Sequence, residues 1–347
     1  AAVVRVGFKT GLEALGTLTK DAGIGSPLRP FANAYLGSSE FTLEESTLAY
    51  TMFPGGGSRP ARTHIIDRID DGEGETIYRR AEERKAVVSD ATAWQVHSLM
   101  TDALARGTAS KAMTDYGLVV AGAAGKTGTS YGFTDLWFLG YDEKLTCGVW
   151  MGFDKPQQIF RGAFSRDLAL PVWVDVMNAS RGDFPSNPLK APVTVEQVQV
   201  CRLSGDLATD KCIEKIRRPD GTEVTESTAY TEYARIGKAP SAACPLHSGG
   251  PQSYVKEFSE EEWPRAAAAI DLSMVRPVDV SSLPVVGAAD PYQSVSPASM
   301  GGMAAEMPVA EAVAVNAFAS PAGTWAARNM SSRKSVRPRP PGFPPRC

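Results

Sequence analysis

Lys126-Thr127-Gly128-Thr129 places a cation, two hydroxyls and a glycine within one short stretch. The Lys126 ammonium attracts an anion, and the hydroxyls of Thr127 and Thr129 can donate hydrogen bonds to it. An N–H exposed on the same stretch can help hold an oxyanion. The chemistry on offer is recognition of a carboxylate that lies beside an acyl group. Gly128 carries no side chain, so another backbone or a ligand can approach closely there. A Lys-Thr-Gly triplet alone is a weak signal. Lys9-Thr10-Gly11 is a second copy, which reads as part of a helix or its end.

The elements around the tetrapeptide decide whether it can be presented. Leu118-Val119-Val120-Ala121 leads into the small residues Gly122 to Gly125. Tyr131-Gly132 can turn the chain. Two apolar, aromatic runs follow, 136–141 and 145–151, separated by the polar Asp142-Glu143-Lys144. Short β-rich runs joined by polar turns predict an antiparallel meander. The tetrapeptide then lies on its first strand, where a strand rim can face a cleft.

Upstream, Leu12, Leu15, Leu18 and Ala22 recur at helical spacing, with Gly23 as a stop. Thr42 and Glu45 form a capping box for a second helix that Pro54 and three glycines terminate. The stretches 63–69 and 75–78 predict a small hairpin around Asp70-Asp71-Gly72. Ser89 caps a third helix whose apolar face is Trp94, Val96, Leu99, Met100, Ala103 and Leu104. Downstream, 167–177 predicts a short apolar helix with Pro171 in its first turns. A strand over 194–200 leads to Cys201.

Other chemistry-bearing residues read as structural. His97 lies beside the core face of the third helix with no nucleophile paired to it in the sequence. His64 gives a weaker signal still. Asp70, Asp71, Glu73 and Glu75 fit no metal-loop spacing and read as a solvated turn. Cys147 reads as a small core residue of a strand. Cys201, Cys212, Cys244 and His247 fall in a loop-rich segment, where three thiols and an imidazole can make a zinc site. From about residue 280 an Ala/Pro/Ser-rich composition with little periodicity predicts a disordered tail.

Composition bounds the function. The chain has 347 residues, 43% of them hydrophobic, with 25 prolines and 32 glycines, which is enough for a core with long irregular parts. A formal net charge of −3 points to neither nucleic acid nor a membrane surface as a partner. Residues 1–8 do not have the pattern of a signal peptide, and no run approaches the ~18 apolar residues of a spanning helix.

The stretch 125–154 resembles the third active-site motif and following strands of the class A penicillin-binding proteins, which pair a glycosyltransferase with a transpeptidase. Leu36-Gly37-Ser38-Ser39-Glu40-Phe41-Thr42, then Ala49-Tyr50-Thr51-Met52-Phe53 and three glycines, extend the match. So do Arg106-Gly107-Thr108-Ala109, Asp135-Leu136-Trp137-Phe138-Leu139-Gly140 and Pro171-Val172-Trp173. The resemblance is continuous over about 3–180, with a weaker echo over 201–247. It implies an α+β fold: part of the penicillin-binding/β-lactamase-like serine-acyltransferase fold, an antiparallel sheet flanked by helices. The corresponding organisation is a transpeptidase part over 1–182, a small Cys-containing extension over 183–275 and a tail over 276–347.

By the same resemblance, the parent protein is a D,D-transpeptidase that cross-links peptidoglycan stem peptides through an acyl-serine and is acylated by β-lactam antibiotics. Lys126 and Thr129 would serve catalysis, and Lys126, Thr127, Gly128 and Thr129 would bind substrate. No cofactor and no metal is called for. The family's Ser-x-x-Lys and Ser-x-Asn motifs do not precede Lys126; Ser253-Tyr254-Val255-Lys256 and Ser331-Ser332-Arg333-Lys334 lie on its wrong side. The chain is therefore expected to be the carboxy-terminal portion of a longer enzyme and inactive alone. A glycosyltransferase domain and a membrane anchor would lie in the missing amino-terminal part. The expected location is the bacterial envelope, anchored in the inner membrane and facing the periplasm, among cell-wall synthesis partners. In that compartment a disulfide between two of Cys201, Cys212 and Cys244 is favoured over zinc. A β-lactamase or D,D-carboxypeptidase, and a non-catalytic wall-binding module, are the competing readings.

Overall fold

Helix starts and strand alternation build the first half of the chain much as its local chemistry dictates. The computed structural model describes residues 2–217, 222–247 and 309–316. Helices α1 (Ala2–Thr10) and α2 (Leu12–Asp21) open it, joined at Gly11, so the first Lys-Thr-Gly triplet does end a helix. Helix α3 (Leu43–Tyr50) starts with the capping box: Glu45 N–H donates to Thr42 Oγ1 at 3.1 Å, and Thr42 N–H donates to the Glu45 carboxylate at 3.0 Å. Strands β1 (Ser58–Pro60) and β4 (Arg84–Ala86) pair around an exposed hairpin, β2 (Arg68–Asp70) with β3 (Thr76–Arg79). In its turn, Asp71 Oδ1 accepts from the N–H groups of Glu73 and Glu75, so this acidic cluster is a solvated turn. None of the described helices is long and apolar enough to cross a membrane.

Helix α4 (Asp90–Ala105) is capped by Ser89, whose Oγ accepts from Thr92 N–H at 3.2 Å. Its buried stripe is Ala93, His97, Met100 and Leu104, whereas Leu99 is 61% exposed. The apolar face expected from the helical pattern therefore includes one residue that points to solvent, because a 3.6-residue period puts positions 93, 97, 100 and 104 on one side. The short α5 (Lys111–Thr114) follows. Then comes the meander: β5 (Ala124–Thr129), β6 (Asp135–Tyr141) and β7 (Leu145–Gly152). Helix α6 (Ala169–Ser180) returns along it, with Pro171 in its first turn.

The sheet is antiparallel throughout, in the order β12-β7-β6-β5. Its fourth strand, β12 (Val309–Asn316), comes from the Ala/Pro/Ser-rich tail, where composition predicts no element. It pairs with β7 along its length, Val309 opposite Gly152 and Asn316 opposite Leu145. Pairing with an existing strand edge supplies backbone hydrogen bonds that the local sequence pattern does not reveal. The rest of the predicted tail and both later Ser-x-x-Lys matches lie outside the described residues.

Helices cover both faces. On one, Trp173 of α6 lies against Gly140 and Phe138, with the two rings 4.8 Å apart; a Cβ at Gly140 would sit 2.6 Å from the indole. On the other, Thr47 and Leu43 of α3 meet the bare backbone of Gly148. Alternation along β6 and β7 thus leaves glycine wherever a helix comes closest. Leu136, Phe138, Cys147, Val149, Leu170, Trp173, Val174 and Met177 form the fully buried centre.

Beyond α6, β8 (Val195–Cys201) pairs with β11 (Ala229–Arg235), and β9 (Ile213–Arg217) with β10 (Glu223–Ser227). This unit docks on α4: Gln95 Nε2 donates to the Tyr233 carbonyl at 2.8 Å, and Trp94 meets the Tyr233 ring edge-on at 5.4 Å.

The α3 cap carries a pH dependence. Partial burial alone would raise the Glu45 pKa, but hydrogen bonds from Ser26, Thr42 and Gly25 outweigh it and lower the value from 4.5 to about 2. A folded-state pKa below the unfolded one stabilises the fold above the unfolded value, and that stability fades as pH falls through the folded value. The melting temperature of Glu45→Gln should lie below that of the parent at neutral pH. The gap should close between about pH 4.5 and 2; a pH-independent gap would assign the effect to packing alone.

Candidate active site

Strand β5 is the edge of the sheet among the described residues, because β6 pairs only its inner side. Lys126 lies opposite Leu139, Gly128 opposite Trp137 and Thr129 opposite Leu136. The period of two puts Thr127 and Thr129 on one face and Lys126 on the other. The lysine stem nevertheless curls round the edge. Its Nζ donates to the Thr127 carbonyl at 2.6 Å and lies 3.5 Å from Thr127 Oγ1. The structure thus brings the cation and the first hydroxyl together at the rim. Surrounding atoms partly desolvate the ammonium, which holds its pKa below the usual lysine value.

Each threonine hydroxyl has a fixed partner that sequence reasoning did not single out. Thr127 Oγ1 lies 2.8 Å from Thr108 Oγ1, on the turn after α4. Thr129 Oγ1 lies 2.8 Å from Ser165 Oγ and accepts from Ser165 N–H at 3.3 Å. Ser165 is fully buried, and its hydroxyl donates to the Gly128 carbonyl. The Thr108–Thr127 and Ser165–Thr129 contacts thus hold the rim through a chain of hydroxyls. In the sequence, Thr108 carries no signal beyond its place in Arg106-Gly107-Thr108-Ala109. Ser165 had no local signal at all, since it reaches β5 from the loop before α6.

At Gly128 it is the neighbouring strand that comes close. A Cβ there would lie 3.1 Å from the Trp137 Cβ, so the missing side chain accommodates the neighbouring strand. His97 is buried, with Nδ1 3.1 Å from Tyr141 Oη, and burial lowers its pKa to about 4. Burial also raises the Tyr141 phenol well above its ordinary value. The pair is a neutral hydrogen bond inside the core, as expected of a structural histidine.

Cys201, Cys212 and Cys244, the disulfide candidates of the sequence, carry free thiols in this structure. They converge with His247, and all four side chains are buried. Three chain segments meet at this point, around 201, 212 and 244–247. Cys147 is a core residue of β7, and burial pushes its thiol up to about 12.

Comparison with known proteins agrees with this architecture. Residues 191–249 match the family model "Penicillin-binding protein 1A, C-terminal domain". Penicillin-binding protein 1A of Rickettsia typhi is 29% identical over 247 residues, covering 65% of this chain and 31% of that protein. The Rickettsia bellii protein of the same name is 33% identical over 227 residues, covering 59% and 28%. The chain therefore spans about a third of the length of the curated relatives it matches. The crystal structure of penicillin-binding protein 1A from Haemophilus influenzae superposes with a TM-score of 0.59 over 70% of this chain and 39% of that one, at 20% identity, which speaks for the fold. Sequence likeness, matched domain and shared fold converge: the chain is similar to the carboxy-terminal part of penicillin-binding proteins 1A.

Proposed function

We propose that this chain supplies the Lys-Thr-Gly rim of a serine-type D,D-transpeptidase acting in peptidoglycan cross-linking. The observation that carries the reading is the β5 edge, where a partly desolvated lysine and two pinned threonine hydroxyls line one stretch of unpaired strand. An extended peptide can add to such an edge through its backbone while side chains at the rim grip its end. Residues 1–182 belong to the transpeptidase domain and 183–275 to its extension, in a protein of the bacterial envelope whose domain faces the periplasm.

In the complete enzyme a serine from outside this chain attacks the penultimate D-alanine carbonyl of a stem peptide. The serine loses its proton as the ester forms, and the terminal D-alanine leaves with a proton on its nitrogen. An amine of a neighbouring stem peptide then takes the acyl group and frees the serine. Thr127 and Thr129 hold the terminal carboxylate. The Thr129 N–H helps bind the developing oxyanion. Lys126, its pKa already lowered, belongs to the proton-transfer network. A β-lactam enters the same site and acylates the same serine.

The test is Thr129→Val in the longer protein that contains this chain. Losing one hydrogen bond to a carboxylate costs about 1.5–3 kcal/mol, so penicillin acylation should slow roughly 10- to 100-fold. Unchanged acylation in a folded variant would remove Thr129 from the substrate site.

A further inference from the structure

We propose that Cys201, Cys212, Cys244 and His247 form a tetrahedral structural zinc site in the carboxy-terminal extension. Their donor atoms all lie within 4.8 Å of one another. His247 Nδ1 lies 3.6 Å from Cys201 Sγ and 3.2 Å from Cys244 Sγ. A tetrahedral zinc with ordinary bond lengths sets S···N at about 3.5 Å and S···S at about 3.8 Å. His247 stands near that S···N separation from two of the sulfurs, and with no two donors more than 4.8 Å apart an inward adjustment closes the shell.

The backbone around the sulfurs is built for thiolates. Cys201 Sγ accepts from the N–H groups of Leu203 and Ser204, two and three residues on. Cys244 Sγ accepts in the same way from Leu246 and His247. Cys212 Sγ accepts from Thr209 N–H at 3.3 Å, and Cys201 Sγ lies 3.4 Å from Thr228 Oγ1. Two tight turns presenting paired N–H donors to a sulfur are what an anionic, metal-bound thiolate requires in a buried place. Gly205, at φ 80°, closes the first of these turns.

The chemistry of the set favours zinc over a disulfide. A bridge would use two sulfurs and leave the third thiol and the imidazole buried, with one nitrogen facing sulfur it cannot fully satisfy. A metal engages all four. Three thiolates and one neutral imidazole are a soft set that closes a four-coordinate shell, as in structural zinc sites. On binding, the three thiols release their protons to solvent and the site carries a net charge of −1. Among the described residues the unit's buried cluster is the three cysteines, flanked by the small Ala208 and Ala229. Metal binding would supply the stability that so small a core cannot.

The test uses the full 347-residue chain, purified aerobically with zinc and no thiol reductant. One equivalent of zinc per chain should be retained by elemental analysis. Cobalt exchanged into the site should give the charge-transfer and d–d bands of a tetrahedral thiolate complex. Zinc should protect Cys201, Cys212 and Cys244 together from alkylation, and its removal should lower the melting temperature. Cys212→Ser should lose most of the metal. His247→Cys, made in the parent chain, preserves four ligands and should keep it, which guards against misreading a variant that merely fails to fold. A native mass two hydrogens lighter with no zinc would establish a disulfide and overturn the site. So would alkylation of the three thiols at the same rate with and without zinc.

Discussion

In the longer protein that contains this chain, Lys126→Ala should slow acylation by penicillin at least ~100-fold, since positioned proton transfer contributes roughly 10²–10⁴ in rate. The melting temperature should hardly change. Lys126 sits at an exposed strand edge, its ammonium bonded only to the neighbouring Thr127 among the described residues. A surface lysine without a catalytic role would alter stability by less than ~0.5 kcal/mol and leave activity intact. Measuring both quantities on one sample separates the two accounts. Near-normal acylation by a well-folded variant would remove the lysine from the reaction and with it the centre of the proposed site.

Trp173→Ala should have the largest effect on stability, about 3–5 kcal/mol, as for other buried tryptophans truncated to alanine. The indole is fully buried between Gly140 and Phe138, where nothing else can fill the space. Its N–H has no partner among the described residues, so the side chain is held by packing alone. Trp173→Phe keeps part of that contact and removes the unpaired donor, and it should cost markedly less. Denaturant unfolding of the chain measures both. A loss below ~1 kcal/mol for Trp173→Ala would mean that α6 is not fastened to the sheet through this residue.

These two residues also mark what each level of organisation contributes. The Lys126 tetrapeptide, the alternation of β6 and β7, the Thr42–Glu45 cap and the Ser89 cap all act within a few residues of chain. Short-range geometry fixes them, so strand, helix start and rim were legible before any fold was known. The apolar helix at 169–180 was equally legible, but the glycines that receive its tryptophan were not.

Contacts between distant segments follow a different logic. Thr127 meets Thr108 across 19 positions, Thr129 meets Ser165 across 36, and Cys201 meets His247 across 46. No periodicity links such residues, because their proximity depends on how whole elements pack. The same holds for β12, whose sequence carries no strand signal and whose place is set by the free edge of β7. The amino-acid sequence by itself determined the family resemblance, the helices and strands of the first half, and the strand that carries the Lys126 tetrapeptide. Only the tertiary structure decided which hydroxyls pin that rim, why Gly128 lacks a side chain, and that three cysteines and a histidine face one another. Local propensity acts through neighbouring backbone, whereas a site assembled from several segments exists only once burial has brought them together.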